Sequence, residues 1–373
     1  MKNKIFVILA ALVLVLGFSL ALALPAAAGT TWYVDPLGTD DLSHGTGTGA
    51  DAFLTIGYAL NQASSGDTIN VAEGTYYENI TLKAGVTVQG AGAGHSFIDG
   101  SSSGTVVYAS GLTTATTLDG FTIQHGRGYF DSGSYYGGGM YAKNCTATLT
   151  VSHCDFTDNN DPDPLVGILD GGGIYCNNCS SLALSYCNFT DNFAWYGGGI
   201  YSENSSLTLT ECDFTDNKHS DPSESINDGG GIYNDNCSLE LTDCNFSGNQ
   251  AGAGAGIYSI NGSSLTLDGC TFTSNSGSYQ GAGMNSDGCS LTLSDCDFTS
   301  KTATTNGGGM LNYNCTSLEL TGCDFDSNQA QGSGDASYGG GGMYNYGSSP
   351  TLSDCDFTDL PPVVIPLFKS QLE

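Results

Sequence analysis

The sequence predicts an all-β fold: a parallel β-helix, a three-stranded solenoid closed at its start by an N-terminal cap. Three observations predict it. A Gly-rich tripeptide followed by Ile or Met recurs eight times, at 137–140, 171–174, 197–200, 229–232, 254–257, 281–284, 307–310 and 340–343. Each is followed, 15 to 17 residues after its first glycine, by Cys-x-Phe, as in Cys212 and Phe214. Two apolar residues stand five and three positions before each cysteine, as Leu207 and Leu209 do, with Val151 and Pro350 the departures from Leu.

The period of two in Leu-x-Leu and Cys-x-Phe marks strands that turn alternate residues to one interior. The step from the second Leu to the Cys is three residues, which breaks the parity. A corner must therefore separate the two strands. Gly-x-Gly-Ile-Tyr supplies the third strand, and a unit of roughly 25 residues with three such strands buries its apolar edge only against the next copy. Variation between copies concentrates after Phe-x-x-Asn, with inserts at 160–170, 218–228 and 329–339. That edge is where function is expected.

Upstream of the repeats, Leu118, Phe121 and Ile123 occupy the Leu, Cys and Phe places, and Val86, Val88, Val106 and Val107 suggest further degenerate coils. Phe53, Ile56 and Leu60 have helical spacing and precede a strand-like Thr68-Ile69-Asn70-Val71, a plausible cap over the first open edge. Lys2 and Lys4 before an apolar run that ends in Pro25-Ala26-Ala27-Ala28-Gly29 read as a secretory signal. The chain divides into a signal peptide at 1–28, cap and first coil at 29–85, degenerate coils at 86–136, eight repeats at 137–359 and a tail at 360–373, which is either a cap or the start of further chain. A secreted or cell-surface location follows, with no stable membrane insertion of the mature chain.

Eight Lys plus Arg against 38 Asp plus Glu give a net charge of −30, so the basic patch that nucleic acid or an anionic membrane requires is not available.

The opening Trp32-Tyr33-Val34-Asp35, with Gly66-Asp67-Thr68-Ile69-Asn70-Val71, Gly74-Thr75-Tyr76 and Glu78-Asn79-Ile80, resembles the start of pectin-lyase-like right-handed parallel β-helix proteins. The repeats resemble the polymorphic outer membrane protein family, whose units pair a Gly-Gly-x-Ile motif with Phe-x-x-Asn. Here that second motif stands at 156–159, 189–192, 214–217, 246–249, 272–275 and 325–328, with Lys301 and Leu360 in the Asn place of two copies. The resemblance implies a right-handed solenoid over the mature chain. It leaves activity open, because polysaccharide lyases, glycoside hydrolases and adhesins share the fold.

Several residues invite a functional and a structural reading. Tyr175, Tyr201, Tyr233 and Tyr258 follow the inward Ile on four consecutive coils and are expected to form an exposed ladder. Trp195, Tyr196, Tyr279 and Tyr338 adjoin it on the variable edge, so a carbohydrate or a surface protein is the expected ligand, and packing beneath the inserts is the structural reading. Asp297, Asp324 and Asp356 point outward on consecutive coils, a calcium site or a solvated acidic face. No other cofactor is implied. The stacked Asn residues read as a side-chain amide ladder.

The eight inward cysteines read as small hydrophobes. Of a second set, Cys145 with Cys179 and Cys289 with Cys315 lie on adjacent coils and are the favoured disulfides. For catalysis the sequence offers only Arg127 and, two residues before it, His125, a pair that suits proton abstraction beside a neutralised carboxylate. The expected function is a structural or adhesive β-helix that binds carbohydrate or protein along one edge, and the alternative is a polysaccharide lyase or glycoside hydrolase.

Overall fold

The computed structural model describes residues 29–160, 169–219, 229–331 and 339–358. Strands at equivalent places of successive coils pair in parallel and build three long sheets of twelve, eleven and ten strands. The twelve-stranded sheet carries the Leu-x-Leu strands, the eleven-stranded sheet the Cys-x-Phe strands, and the ten-stranded sheet the Ile-Tyr strands. A further ribbon of six short strands, from Phe193–Ala194 to Gln329–Ala330, runs along the variable edge. The sequence motifs did not announce it.

Each coil turns where a residue takes the left-handed backbone. In one coil these are Gly197 (φ 61°), Asn204 (50°), Glu211 (50°) and Asp216 (54°), and Asn, Asp, Ser or Gly holds most of the equivalent places elsewhere. Glu211 directly precedes Cys212, so the corner falls within the three-residue step that breaks the alternation. Leu207, Leu209, Cys212, Phe214 and Ile200 accordingly all point inward and are at most 1% exposed. At Gly199 the need for glycine is steric: an added Cβ would lie 2.6 Å from the Gly231 carbonyl oxygen and 2.8 Å from the Phe214 ring.

Register is unbroken along the repeats: Leu207 pairs with Leu239, Leu239 with Leu265, and Leu265 with Leu291. Like side chains therefore stack at the spacing of the strands. Phe156, Phe189, Phe214, Phe246, Phe272, Phe298, Phe325 and Phe357 form one column with ring centroids 4.6–4.9 Å apart and planes within 6°.

The open first edge is covered by the short helix Ile56–Gln62, which buries Ile56, Ala59 and Leu60. Carboxylates fix it in place. Glu78 accepts the Ile56 and Gly57 N–H groups at 2.9 and 2.8 Å, and Asp67 ties Thr30, Trp32 and Ser64 together.

All fourteen cysteines are free thiols, including the two pairs expected as disulfides. The reason lies in the corner they occupy. Cys145, Cys179, Cys289 and Cys315 each direct the thiol onto the carbonyl two residues earlier, at 3.3–3.8 Å. Serine holds the same place in other coils, where Ser205, Ser263 and Ser348 accept the N–H groups of Cys179, Cys237 and Cys315 at 3.0, 3.2 and 2.8 Å. The position thus takes a small side chain with a polar hydrogen, and the thiols serve the backbone.

The Asn residues after the Phe column form the amide ladder. Asn159, Asn192, Asn217 and Asn249 each donate from Nδ2 to the Oδ1 of the next Asn at 2.9–3.1 Å and to the main chain of the preceding coil at 2.8–3.0 Å. Lys301 stands in the next rung, fully buried, with Nζ on the Phe272 and Thr299 carbonyls. An amine reproduces the donor half of the carboxamide and lacks its acceptor half. Burial holds the Lys301 amine well below the ordinary lysine value of 10.5. Charging it in the fold is therefore penalised, and the penalty grows as pH falls below about 10.5.

Two outcomes follow for chemical denaturation. Asn217→Ala, which leaves the buried amide of Asn192 without its acceptor, is expected to cost about 1–3 kcal/mol. Lys301→Asn is expected to stabilise the chain at neutral pH, with a gain that shrinks above about pH 10.5 to what the restored acceptor for Asn275 contributes.

Candidate functional site: the tyrosine face

On the Ile-Tyr sheet the strand alternation that turns Ile inward turns Tyr outward. Tyr108, Tyr141, Tyr175, Tyr201, Tyr233 and Tyr258 stack in one column with centroids 5.0–5.5 Å apart. The column is longer than expected by Tyr108 and Tyr141, which follow Val107 and Met140 in the same register. That register was visible in the sequence.

The ladder is not the exposed surface expected of it. Tyr175, Tyr233 and Tyr258 are 7%, 8% and 4% exposed, and Tyr201, Trp195 and Tyr196 are half-buried. Tyr279 stays exposed, and Tyr338 lies outside the described residues. The cause is the outer ribbon, which folds back over the sheet. Ahead of it lies a separate three-stranded sheet, a hairpin of Tyr129–Asp131 and Ser134–Tyr136 continued in parallel by Leu169–Asp170 and bridged from Asp170 to Tyr196. Tyr136 and Tyr196 lie against the column at 4.8 Å from Tyr175 and 5.1 Å from Tyr233.

At the N-terminal end of the column the cover parts and leaves a cleft of about 690 Å³. Tyr108, Tyr129, Phe130 and Tyr135 give it aromatic walls, and Arg127 lies over the Tyr135 ring at 4.9 Å. Asn79 and Ser103 line the polar side, positioned by Ser103 Oγ donating to Asn79 Oδ1 at 2.8 Å and Asn79 Nδ2 to the Thr105 carbonyl at 2.7 Å. The arrangement combines ring faces, a fixed guanidinium and pre-oriented amide and hydroxyl groups. These are the elements that hold a polyol.

His125 does not join Arg127 there. It turns to Asp99, with Nδ1 2.8 Å from Oδ2, at a left-handed corner of φ 55°. Burial opposes ionisation of Asp99, but hydrogen bonds from Gln124, His125 and the Ser101 N–H outweigh it and hold the carboxyl below its usual range. Asp297, Asp324 and Asp356 are exposed and in register, one per coil. Burial and the neighbouring Asp324 charge raise the Asp297 carboxyl. Among the described residues no three His, Cys, Asp or Glu side chains converge on a common point.

The structure adds two residues that no sequence signal marked. Asp170 sits in the cover directly before Gly171, in line with Tyr136 and Tyr196. Its Oδ1 is wholly buried with no hydrogen-bond partner, and burial, with the Glu203 charge second, pushes the carboxyl up to about 7. Glu203 lies outward on the sheet two residues after Tyr201 and accepts from the Asn177 and Asn204 amides. Burial, then the Glu203 charge, raises the hydroxyls of Tyr175 and Tyr201.

The family described as right handed beta helix region matches residues 64–272 and 230–360. The chain belongs to the right-handed β-helix family. Among solved structures it is similar to pectin methylesterase PemA from Erwinia chrysanthemi, at 9% identity and TM-score 0.37 over 88% of this chain and 93% of that one. It is also similar to the A-module of mannuronan C-5 epimerase AlgE4 from Azotobacter vinelandii, at 13% identity and TM-score 0.32 over 82% and 90%. Tailspike protein 3 of bacteriophage CBA120 matches at 13% identity and TM-score 0.28 over 77% and 56%. No curated protein sequence matches the chain. Among the described residues of this β-helix, no helix is long and apolar enough to cross a membrane.

Because the Asp170 carboxyl is raised in the fold, its ionisation destabilises the cover as pH climbs from about 4 to 7. Asp170→Asn is expected to raise the melting temperature at pH values above 7 and to leave it unchanged at the acid end. Thermal melts across pH, with local hydrogen exchange at 169–171, check this.

Proposed function

We propose that the protein is a secreted β-helix that binds carbohydrate along its tyrosine face, with a structural or adhesive role. The observation that carries this reading is the cleft at the open end of the tyrosine column. There Tyr108, Tyr129, Phe130 and Tyr135 offer ring faces to the flat side of a sugar while Arg127, Asn79 and Ser103 offer hydrogen bonds. Ring faces beside a guanidinium, an amide and a hydroxyl are the groups that hold a glycan. The stacked column continues from the cleft along the solenoid axis beneath the cover.

Affinity electrophoresis of the full chain in gels containing soluble polysaccharides tests the reading. A retarded band is expected with at least one glycan. Tyr108→Ala and Arg127→Ala are each expected to weaken that retardation by about tenfold, the loss of one stacking or charge-assisted contact. Retention that neither substitution changes removes the cleft from the account.

A further inference from the structure

Where each strand of the Ile-Tyr sheet ends, the chain turns toward the Leu-x-Leu sheet through one left-handed residue. Asparagine holds that corner at Asn144, Asn178, Asn204, Asn236, Asn261 and Asn314, with φ between 49° and 58°. All six are exposed, and the in-register strands that precede them set them in one file along the solenoid. Each also opens an Asn-x-Ser or Asn-x-Thr triplet with no proline inside it. In an exported chain that triplet is the acceptor for transfer of a glycan to the asparagine side chain.

The hydrogen bonds of the corner divide the six. Asn178 and Asn236 give Nδ2 to the Oδ1 of Asn144 and Asn204, both at 2.7 Å, and Asn261 gives its own to Asp235 at 2.7 Å. Among the described residues nothing accepts from Nδ2 of Asn144 or Asn314, and that of Asn204 makes a long bond of 3.3 Å to the Glu203 carboxylate. The same triplet at Asn79, Asn188 and Asn245 lies away from the corner, and there Nδ2 is held at 2.7 Å by Thr105, Asp155 and Asp213. Room along the file selects the same three corners. Adjacent corners are one strand spacing apart, about 4.8 Å, too close for two hydrated sugar chains side by side. Asn178 separates Asn144 from Asn204, and the Gly288 corner separates Asn314 from Asn261.

We propose that Asn144, Asn204 and Asn314 are acceptors for N-linked glycans, transferred from an oligosaccharide esterified through its reducing-end C1 to a polyprenyl phosphate carrier. The bond from C1 to the phosphate oxygen breaks, the bond from Asn Nδ2 to C1 forms, and the amide proton leaves with the phosphate. Nothing is oxidised or reduced. The proposal rests on the secreted reading of the chain and not on its cleft, because the transfer takes place on the side of the membrane to which a chain is exported. A surface with only 12% charged residues thereby gains a hydrated ridge along one corner.

Mass spectrometry of the full chain purified from its own cells and their medium tests this, on the intact protein and on peptides fragmented with the sugar retained. A chain that begins at Gly29 and exceeds its sequence mass by whole oligosaccharides is expected, with sugar on Asn144, Asn204 and Asn314. Thr146→Ala, Ser206→Ala and Thr316→Ala leave the corner asparagines in place, and each is expected to lose the sugar of its own triplet alone. Thr146→Ser is expected to keep it. A chain that begins at Gly29 with bare corners overturns the glycan sites and leaves the secreted reading standing. A chain that keeps Met1 and bears no sugar overturns both. Sugar on Asn178, Asn236 or Asn261 in place of the three overturns the selection by open amides, and sugar that survives all three alanine substitutions overturns the linkage through these asparagines.

Discussion

The in-register hydrogen bonding of each coil to the next is the constraint on which everything else in this structure depends. Parallel strands repeat at a fixed spacing, so a residue repeated at the same place of every coil must meet its own copies. Phenylalanine does so as a close ring stack, asparagine as a chain of amides, and serine or cysteine as a row of small donors at one corner. A slip of one residue in a single strand would turn Leu outward and Thr inward, which is why the register holds along the repeats.

The same rule governs the outside, with less agreement among its members. Tyrosines stack favourably and make a continuous face, whereas aspartates in file repel and stay solvated. What distinguishes one stretch of the outer face from another is the cover. Where it closes, the rings become part of a second small core of Tyr233, Ala253 and Tyr258, and where it parts, a cleft remains. What the outer face presents to solvent is thus set by the segments that do not repeat, laid over a surface that does.

This division explains what could be read in advance. The inward columns were legible because Leu207, Leu209, Cys212, Phe214 and Ile200 answer to local rules of alternation and corner residues, and eight copies average out the exceptions. The amide ladder was legible for the same reason. Exposure of the tyrosines was not, because it depends on how non-repeating residues such as Tyr136 and Tyr196 fold back across the sheet. Asp170 carried no signal at all: its burial comes from neighbours distant in sequence. Arg127 and His125 are two residues apart, yet a left-handed corner at His125 sends their side chains to different surroundings. The two expected disulfides are not formed, and the thiols of Cys145, Cys179, Cys289 and Cys315 lie on nearby carbonyls instead.

Lys301 has a mechanical meaning as well. A solenoid is held along its axis only by contacts between nearest neighbours, and its strength is that of its poorest interface. Every rung from Asn159 to Asn249 passes its buried amide to the next carboxamide oxygen, and at Asn275, which faces Lys301, that chain of acceptors is interrupted. The rod therefore carries a built-in joint. Across it the strand pairing and the stack of Phe272 on Phe298 continue, and only the carboxamide acceptor is missing.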